Sequence, residues 1–325
     1  MQAVRTIIIA IAFVSVLVSF DRPNNEPSAA RVGLYIGIDQ YPGLKDSDLA
    51  GCVNDVRSLE MLFRERFGFE HSTVLENEAA TRDGIGAAMR STAKRVAELI
   101  DSGASPVTAL VVYAGHGHQV KDQEGPGSDE ADGLDETWVA YDSDWSGRND
   151  VRDDEIEGFL ALLNQLGAEV VLVSDSCHSG TIHRGADWAK TRSPRGLSVL
   201  KRERIGPASP LLSPEFCNEI LKTTEPSQAN GWVVFAASAD SQQAYEHSDE
   251  AGRSCGRLTF CLRKILPQLK ADASYAEIQR RIVAEFLQRW PDGLQRPQFH
   301  STAAKRGKRF LGGGYPEPVA RIVPA

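Results

Sequence analysis

The chain has 325 residues, 42% of them hydrophobic and 25% charged, and a formal net charge of −8. These ordinary globular values exclude wholesale disorder, and 28 Gly and 16 Pro without a period exclude a collagen-like or coiled-coil chain. An acidic balance with no basic stripe over the body argues against nucleic acid as a partner, and 5 Cys without Cys-x-x-Cys spacing give neither a disulfide framework nor a zinc motif.

Residues 6–20, TIIIAIAFVSVLVSF, form an apolar run that follows Arg5 and ends at Asp21-Arg22-Pro23. As a helix it spans about 22 Å, short of a hydrocarbon core of about 30 Å. The charged start, the short apolar core and the later Ser28-Ala29-Ala30 fit a secretory signal peptide, although the polar gap before Ala30 is long for a cleavage region. An uncleaved membrane anchor and a buried element are the alternatives. The first two readings send the body out of the cytosol, as a secreted or periplasmic protein or one held to a membrane by this segment alone. Residues 1–30 are therefore set apart as leader and linker.

In the body, residues 32–38 and 107–113 are short apolar runs that read as strands buried on both faces, as do 168–174 and 231–236. Residues 72–75 read as a weak strand. Helical stripes lie over 49–67, closed by Gly68, and from Thr81 to about Ile100, followed by Gly103. Further helices are predicted over 153–166, 256–269 and 274–290. Strands alternating with helices imply a mainly parallel sheet covered on both sides. Residues 184–230, rich in Pro and basic side chains, read as a long exposed insert in a body spanning 31–305. Residues 306–325, with Gly312-Gly-Gly-Tyr-Pro-Glu-Pro, read as a loose extension.

Ligands of open α/β sheets sit beyond the carboxyl ends of the strands. There the second strand runs into Gly115-His116-Gly117-His118, and the third into Asp175-Ser176-Cys177-His178. An unperturbed thiol is mostly protonated at neutral pH, and an adjacent imidazole can take its proton and so make a nucleophile. Backbone N–H groups of Gly117 and Cys177 are candidates to hold an oxyanion. Taken singly, a Cys after a buried strand is most often a packing thiol, and Gly-His-Gly a turn. Two such signals at equivalent strand ends put chemistry level with the packing reading. His118 is the alternative base.

These residues resemble the two active-site motifs of the metacaspases, whose prokaryotic members are called orthocaspases, within the caspase–haemoglobinase clan of cysteine peptidases. The resemblance covers roughly residues 31–300. It includes Gly37-Ile-Asp-Gln-Tyr41, Gly51-Cys-Val-Asn-Asp55, Asp132-Gly-Leu-Asp-Glu136, Arg152-Asp-Asp-Glu155 and Gly256-Arg-Leu-Thr-Phe260. It implies a caspase-like α/β three-layer sandwich, with a mostly parallel six-stranded sheet flanked by helices on both faces. It also implies a monomer with His116 as general base and Cys177 as nucleophile, cutting peptides or proteins after Arg or Lys. By matching, Asp175, Asp55 and Cys52 would line the pocket for the basic side chain. The plainer reading of Asp55 is helix capping. Ala114 stands where the family often has Ser.

Seven acids lie within residues 122–136, and Asp153-Asp154-Glu155 follows. Hard oxygen donors in number suit Ca²⁺. The resemblance implies an activating calcium, and matching nominates Asp135, Asp153 and Asp154; Arg184 stands near where a further acid is expected. The alternative is a solvated acidic loop with Asp153 capping a helix, and the loop is placed to gate access to the site. Arg184, Lys190, Arg192, Arg195, Lys201, Arg202 and Arg204 make the insert a candidate for self-cleavage, the alternative being a basic segment for acidic surfaces. Competing functional readings are a catalytically silent caspase-like binding module and another Cys/His hydrolase acting on small amides.

Overall fold

The computed structural model describes residues 28–121, 134–144, 146–176, 209–222, 231–239 and 242–318. The run 6–20 and the basic stretch 184–204 lie outside them. No described helix is long and apolar enough to cross a membrane.

In chain order, β1 (Ala30–Gly37), α1 (Cys52–Phe67), β2 (His71–Glu76), α2 (Arg82–Asp101) and β3 (Val107–Ala114) come first. Three short strands follow: β4 (Gly117–Lys121), β5 (Leu134–Trp138) and β6 (Val151–Arg152). Then come α3 (Asp153–Gln165), β7 (Glu169–Asp175), α4 (Pro214–Leu221) and β8 (Val233–Ala236). The hairpin β9 (Glu246–Ser248) and β10 (Ser254–Gly256) leads into α5 (Arg257–Ile265), α6 (Tyr275–Arg289), β11 (Gln298–His300) and α7 (Ala303–Arg306).

The main sheet has six strands in the order β11-β8-β7-β3-β1-β2. All neighbours are parallel except β11, which runs antiparallel to β8. Every residue of β3 is buried, as a strand apolar on both faces requires. One face is covered by α1 with α5 and α6, the other by α2 with α3 and α4. The expected three-layer architecture is present.

Thr81 caps α2 as predicted, accepting the Gly84 N–H at 3.1 Å. The predicted helix over 256–269 is shorter: Pro267 lacks an N–H and ends it in a single 3₁₀ turn over Leu266–Gln268. Two segments differ more. Part of the insert read as exposed is α4, where Ser213 accepts the Phe216 N–H and Pro214 opens the first turn. Leu211 and Ile220 are buried against α2 and the core, so the prolines here mark a helix start rather than open loop. The C-terminal segment is not loose as far as Tyr315. Gly312, Gly313 and Gly314 all have positive φ, a turn only glycine makes without strain, and it returns the Tyr315 ring to within 4.8 Å of Phe67.

Candidate active site

The register pairs Ala114 of β3 with Asp175 of β7, so the two strands end side by side at one edge of the sheet. His116 lies two residues beyond the first and Cys177 two beyond the second. Cys177, with its N–H, lies outside the described residues, as do residues 122–133 of the acidic loop.

His116 is held on four sides. Its N–H donates to the Tyr41 hydroxyl at 2.8 Å, and its carbonyl accepts the Tyr113 hydroxyl at 2.6 Å. Its ring packs on Tyr41 with centroids 4.7 Å apart. Nε2 lies 2.6 Å from the Ser47 carbonyl oxygen. A carbonyl only accepts, so Nε2 carries the ring hydrogen and Nδ1 is the basic nitrogen of the neutral imidazole. Asp46, just before Ser47, has φ 58°, a left-handed turn that brings this carbonyl round to the ring. Gly117 opens β4 directly after His116 and pairs with Trp138, which stacks on Tyr113 at 4.6 Å. Sequence motifs marked Tyr41, but nothing in them marked Ser47, because its contribution is a main-chain atom delivered by loop geometry.

Asp55 and Asp175 are both fully buried and converge on the start of α5. Asp55 Oδ2 accepts the Gly256 N–H at 2.8 Å, and Asp175 Oδ2 accepts the Thr259 N–H at 2.9 Å and its hydroxyl at 2.8 Å. Asp55 does not cap its own helix. The start of α1 is satisfied by Asp39, which accepts the Cys52 and Val53 N–H groups at 2.7 and 3.3 Å, and by Glu246, which accepts those of Ala50 and Gly51 at 3.2 and 2.7 Å. Ligand atoms of Asp39, Cys52 and Glu246 lie within 4.8 Å of one another, a grouping this capping explains. Cys52 is buried at the first position of α1, near Tyr41 and Tyr113. Burial and the charge of Asp55 push the Cys255 thiol up to about 12, and burial raises that of Cys261, so both are packing thiols.

The acids nominated for a metal divide. Asp135 is buried and ion-paired with Arg152. Asp153 accepts the Glu136 N–H at 3.2 Å and the Asp154 N–H at 3.0 Å; Asp154 itself is exposed. Burial, then the charges of Asp135 and Glu136, raise the Asp153 carboxyl to about 7. The helix start here is closed by Glu155, which accepts the Arg152 N–H at 3.2 Å, together with Asp153 at the Asp154 N–H. The solvated-loop reading fails for Asp135.

The alternative base, His118, turns away into a separate buried network. Its Nδ1 is 3.0 Å from Asp150 Oδ2, and Asp150 also accepts the Ser143 hydroxyl at 2.7 Å and the Thr137 hydroxyl at 3.3 Å. Arg82 joins it through the Asp150 carbonyl at 2.6 Å and pairs with Glu155. These contacts brace β4, β5 and β6 behind His116.

Comparison with known proteins agrees with this geometry. The family model described as the caspase domain matches residues 30–307. Metacaspase-1 of Mycosarcoma maydis is 27% identical over 262 residues, covering 73% of this chain and 63% of that protein. Metacaspase-1A of Neurospora crassa is 33% identical over 159 residues, covering 48% of this chain and 33% of that protein. The chain thus spans less than two thirds of the length of these curated relatives. Among solved structures, a structural-genomics target from Geobacter sulfurreducens superposes with a TM-score of 0.56 at 24% identity, over 87% of this chain and 99% of that one. Caspase-1 from Spodoptera frugiperda superposes with a TM-score of 0.51 at 12% identity, over 86% and 90%. At these identities the two structures speak to fold alone.

Proposed function

The chain belongs to the caspase-domain family, and on that premise we propose that it is a cysteine endopeptidase of metacaspase type that cleaves peptide bonds after Arg or Lys. The observation that carries this reading is His116, fixed by Tyr41 and the Ser47 carbonyl at the strand edge from which β7 leads to Cys177. A base oriented by a third group beside a nucleophile is the arrangement thiol catalysis needs. In this scheme Nδ1 takes the Cys177 proton, and the thiolate adds to the scissile carbonyl carbon. The N–H groups of Gly117 and Cys177 stabilise the oxyanion. The imidazolium then protonates the departing amine as the C–N bond breaks, leaving a thioester that water hydrolyses with His116 again as base. Asp55, Asp175 and Cys52 form the wall that receives the basic side chain, whose charge the two carboxylates complement.

Calcium activation belongs to the same proposal. Asp135 and Asp153 would hold the ion, with Asp154 at the exposed rim. Bound there, Ca²⁺ supplies positive charge that relieves the repulsion among these carboxylates. Self-processing would fall in the basic stretch 184–204. The substrate is a peptide or protein, and nucleic acid is not expected.

A panel of fluorogenic peptides tests the proposal. Arg- and Lys-ended substrates should turn over and Asp-ended ones should not; His116→Ala and Cys177→Ala should abolish the rate. A chelator should lower it and Ca²⁺ restore it. Turnover that survives Cys177→Ala would refute the assignment. Identical fragments from wild type and Cys177→Ala would refute self-processing.

A further inference from the structure

The first turn of α5 starts without help from its own sequence. Gly256 offers no capping side chain, and no acid stands in that turn. The N–H groups at a helix start need acceptors. Here the Tyr245 carbonyl accepts at Arg257, and two carboxylates come from distant elements: Asp55 of α1 accepts at Gly256, and Asp175 of β7 accepts twice at Thr259. The close approach depends on glycine. A Cβ at residue 256 would lie 2.2–2.6 Å from the atoms of the Asp175 carboxylate. Two buried carboxylates flanking one residue repel each other. Three donated hydrogen bonds and the positive end of the helix dipole hold the two carboxylates in place.

We propose that Thr259 and Gly256 are positioning residues for substrate recognition, holding Asp55 and Asp175 in fixed orientations so that the pocket prefers a guanidinium to an ammonium. This rests on the peptidase reading above and deepens it. A guanidinium is planar and presents its donors as a rigid fork, so it needs acceptors of fixed orientation. An ammonium is a compact charge that tolerates a rotated carboxylate. The two donors of Thr259 on one oxygen set the rotation of the Asp175 carboxylate about its own axis. Removing the hydroxyl takes away one of the two Thr259 donors on that oxygen. Thr259 acts through Asp175, a wall of the pocket in this reading, so the effect belongs to binding rather than to the chemical step.

The test compares Thr259→Val, Thr259→Ser and Gly256→Ala with wild type, as full-length protein, on matched Arg-ended and Lys-ended peptides. Thr259→Val should raise KM for the Arg-ended peptide about tenfold and for the Lys-ended peptide only about twofold, with kcat for both close to wild type. Thr259→Ser, which keeps the hydroxyl, should restore the wild-type KM. Gly256→Ala should weaken both substrates, since its methyl displaces Asp175. A second readout is independent of turnover: benzamidine binding to Cys177→Ala by calorimetry, which should weaken about tenfold on adding Thr259→Val and not on adding Thr259→Ser. If Thr259→Val lowers only the melting temperature, leaving KM and benzamidine affinity unchanged, the two acids are helix caps and the proposal is wrong. If wild type neither cleaves basic-ended peptides nor binds benzamidine, the peptidase specificity itself fails and takes this proposal with it.

Discussion

Asp153→Asn should stabilise the metal-free protein at mildly alkaline pH and change it little near pH 4. Burial and the charges of Asp135 and Glu136 raise the Asp153 carboxyl to about 7. In the unfolded chain it titrates near 3.9. Between those values the folded protein keeps a proton that the unfolded chain has released. Stability therefore falls as pH rises through the window, and the whole cost is present above about pH 7. A difference of about 3 pH units corresponds to about 4 kcal/mol as an upper bound. Because the carboxyl is only partly buried, solvent screening reduces this to about 1–2 kcal/mol. Asparagine is neutral at every pH and keeps one oxygen for either the Glu136 or the Asp154 N–H, which Asp153 accepts on separate oxygens, so it gives up one of these bonds at every pH alike. The assay is urea unfolding with a chelator present, at about pH 5 and about pH 8. The variant's advantage should appear chiefly at the higher pH. Saturating Ca²⁺ should reverse the order, since free ion at about a hundred times its Kd adds about 2.7 kcal/mol to a protein that binds it. An advantage equal at both pH values, or a loss at the higher one, would show that Asp153 is not held protonated by its surroundings.

Three further predictions concern the frame of the site. Tyr41→Phe removes the hydroxyl that accepts the His116 N–H at 2.8 Å; it should cost about 1–3 kcal/mol in urea unfolding and lower kcat more than it raises KM. Ser47→Ala should leave kcat near wild type, because the group on Nε2 is the main-chain carbonyl; a large loss would mean the side chain is the orienting group. Tyr315→Ala should destabilise by about 2–4 kcal/mol, since the ring is buried against Phe67 and Phe310, and an unchanged unfolding midpoint would mean the segment does not dock.

The strands buried on both faces were the most legible part of the sequence. Runs such as Val107-Thr-Ala-Leu-Val-Val-Tyr113 are too short for helices and too uniformly apolar for a half-exposed sheet. The small sheet of β4, β5 and β6 was not legible. Gly-His-Gln-Val-Lys and Leu-Asp-Glu-Thr-Trp carry polar and charged side chains, and they pair because His118, Thr137 and Asp150 satisfy one another, a fact of tertiary structure. The hairpin of β9 and β10 escaped for a similar reason, being three residues a side. At the site, His116 could be found because glycines flank it at a strand end. The pairing of Ala114 with Asp175 then supplies what sequence alone only inferred, that the two motifs share an edge. The Gly256-Arg-Leu-Thr-Phe260 motif was visible, but its use was not. Nothing local says that Thr259 will meet a carboxylate 84 positions away.

That meeting constrains how the pocket can change. Asp175 satisfies both Thr259 donors in a fully buried setting, so its charge serves the fold as well as any substrate. Inverting the pocket by Asp175→Arg would leave those two donors without an acceptor, at about 1–3 kcal/mol each, and place a buried cation at the positive end of α5. An unpaired buried charge adds a further cost of about 3–5 kcal/mol, comparable with the whole stability of many domains. The single substitution should therefore yield an unfolded or aggregating protein rather than an enzyme for acidic residues, as circular dichroism and gel filtration would show. A soluble, folded Asp175→Arg variant that cleaves Asp-ended peptides would mean that α5 obtains its acceptor elsewhere and that capping and recognition are separable. If they are not, a change of charge preference on this fold has to rebuild the start of α5, Gly256 and Thr259 included, along with the pocket wall.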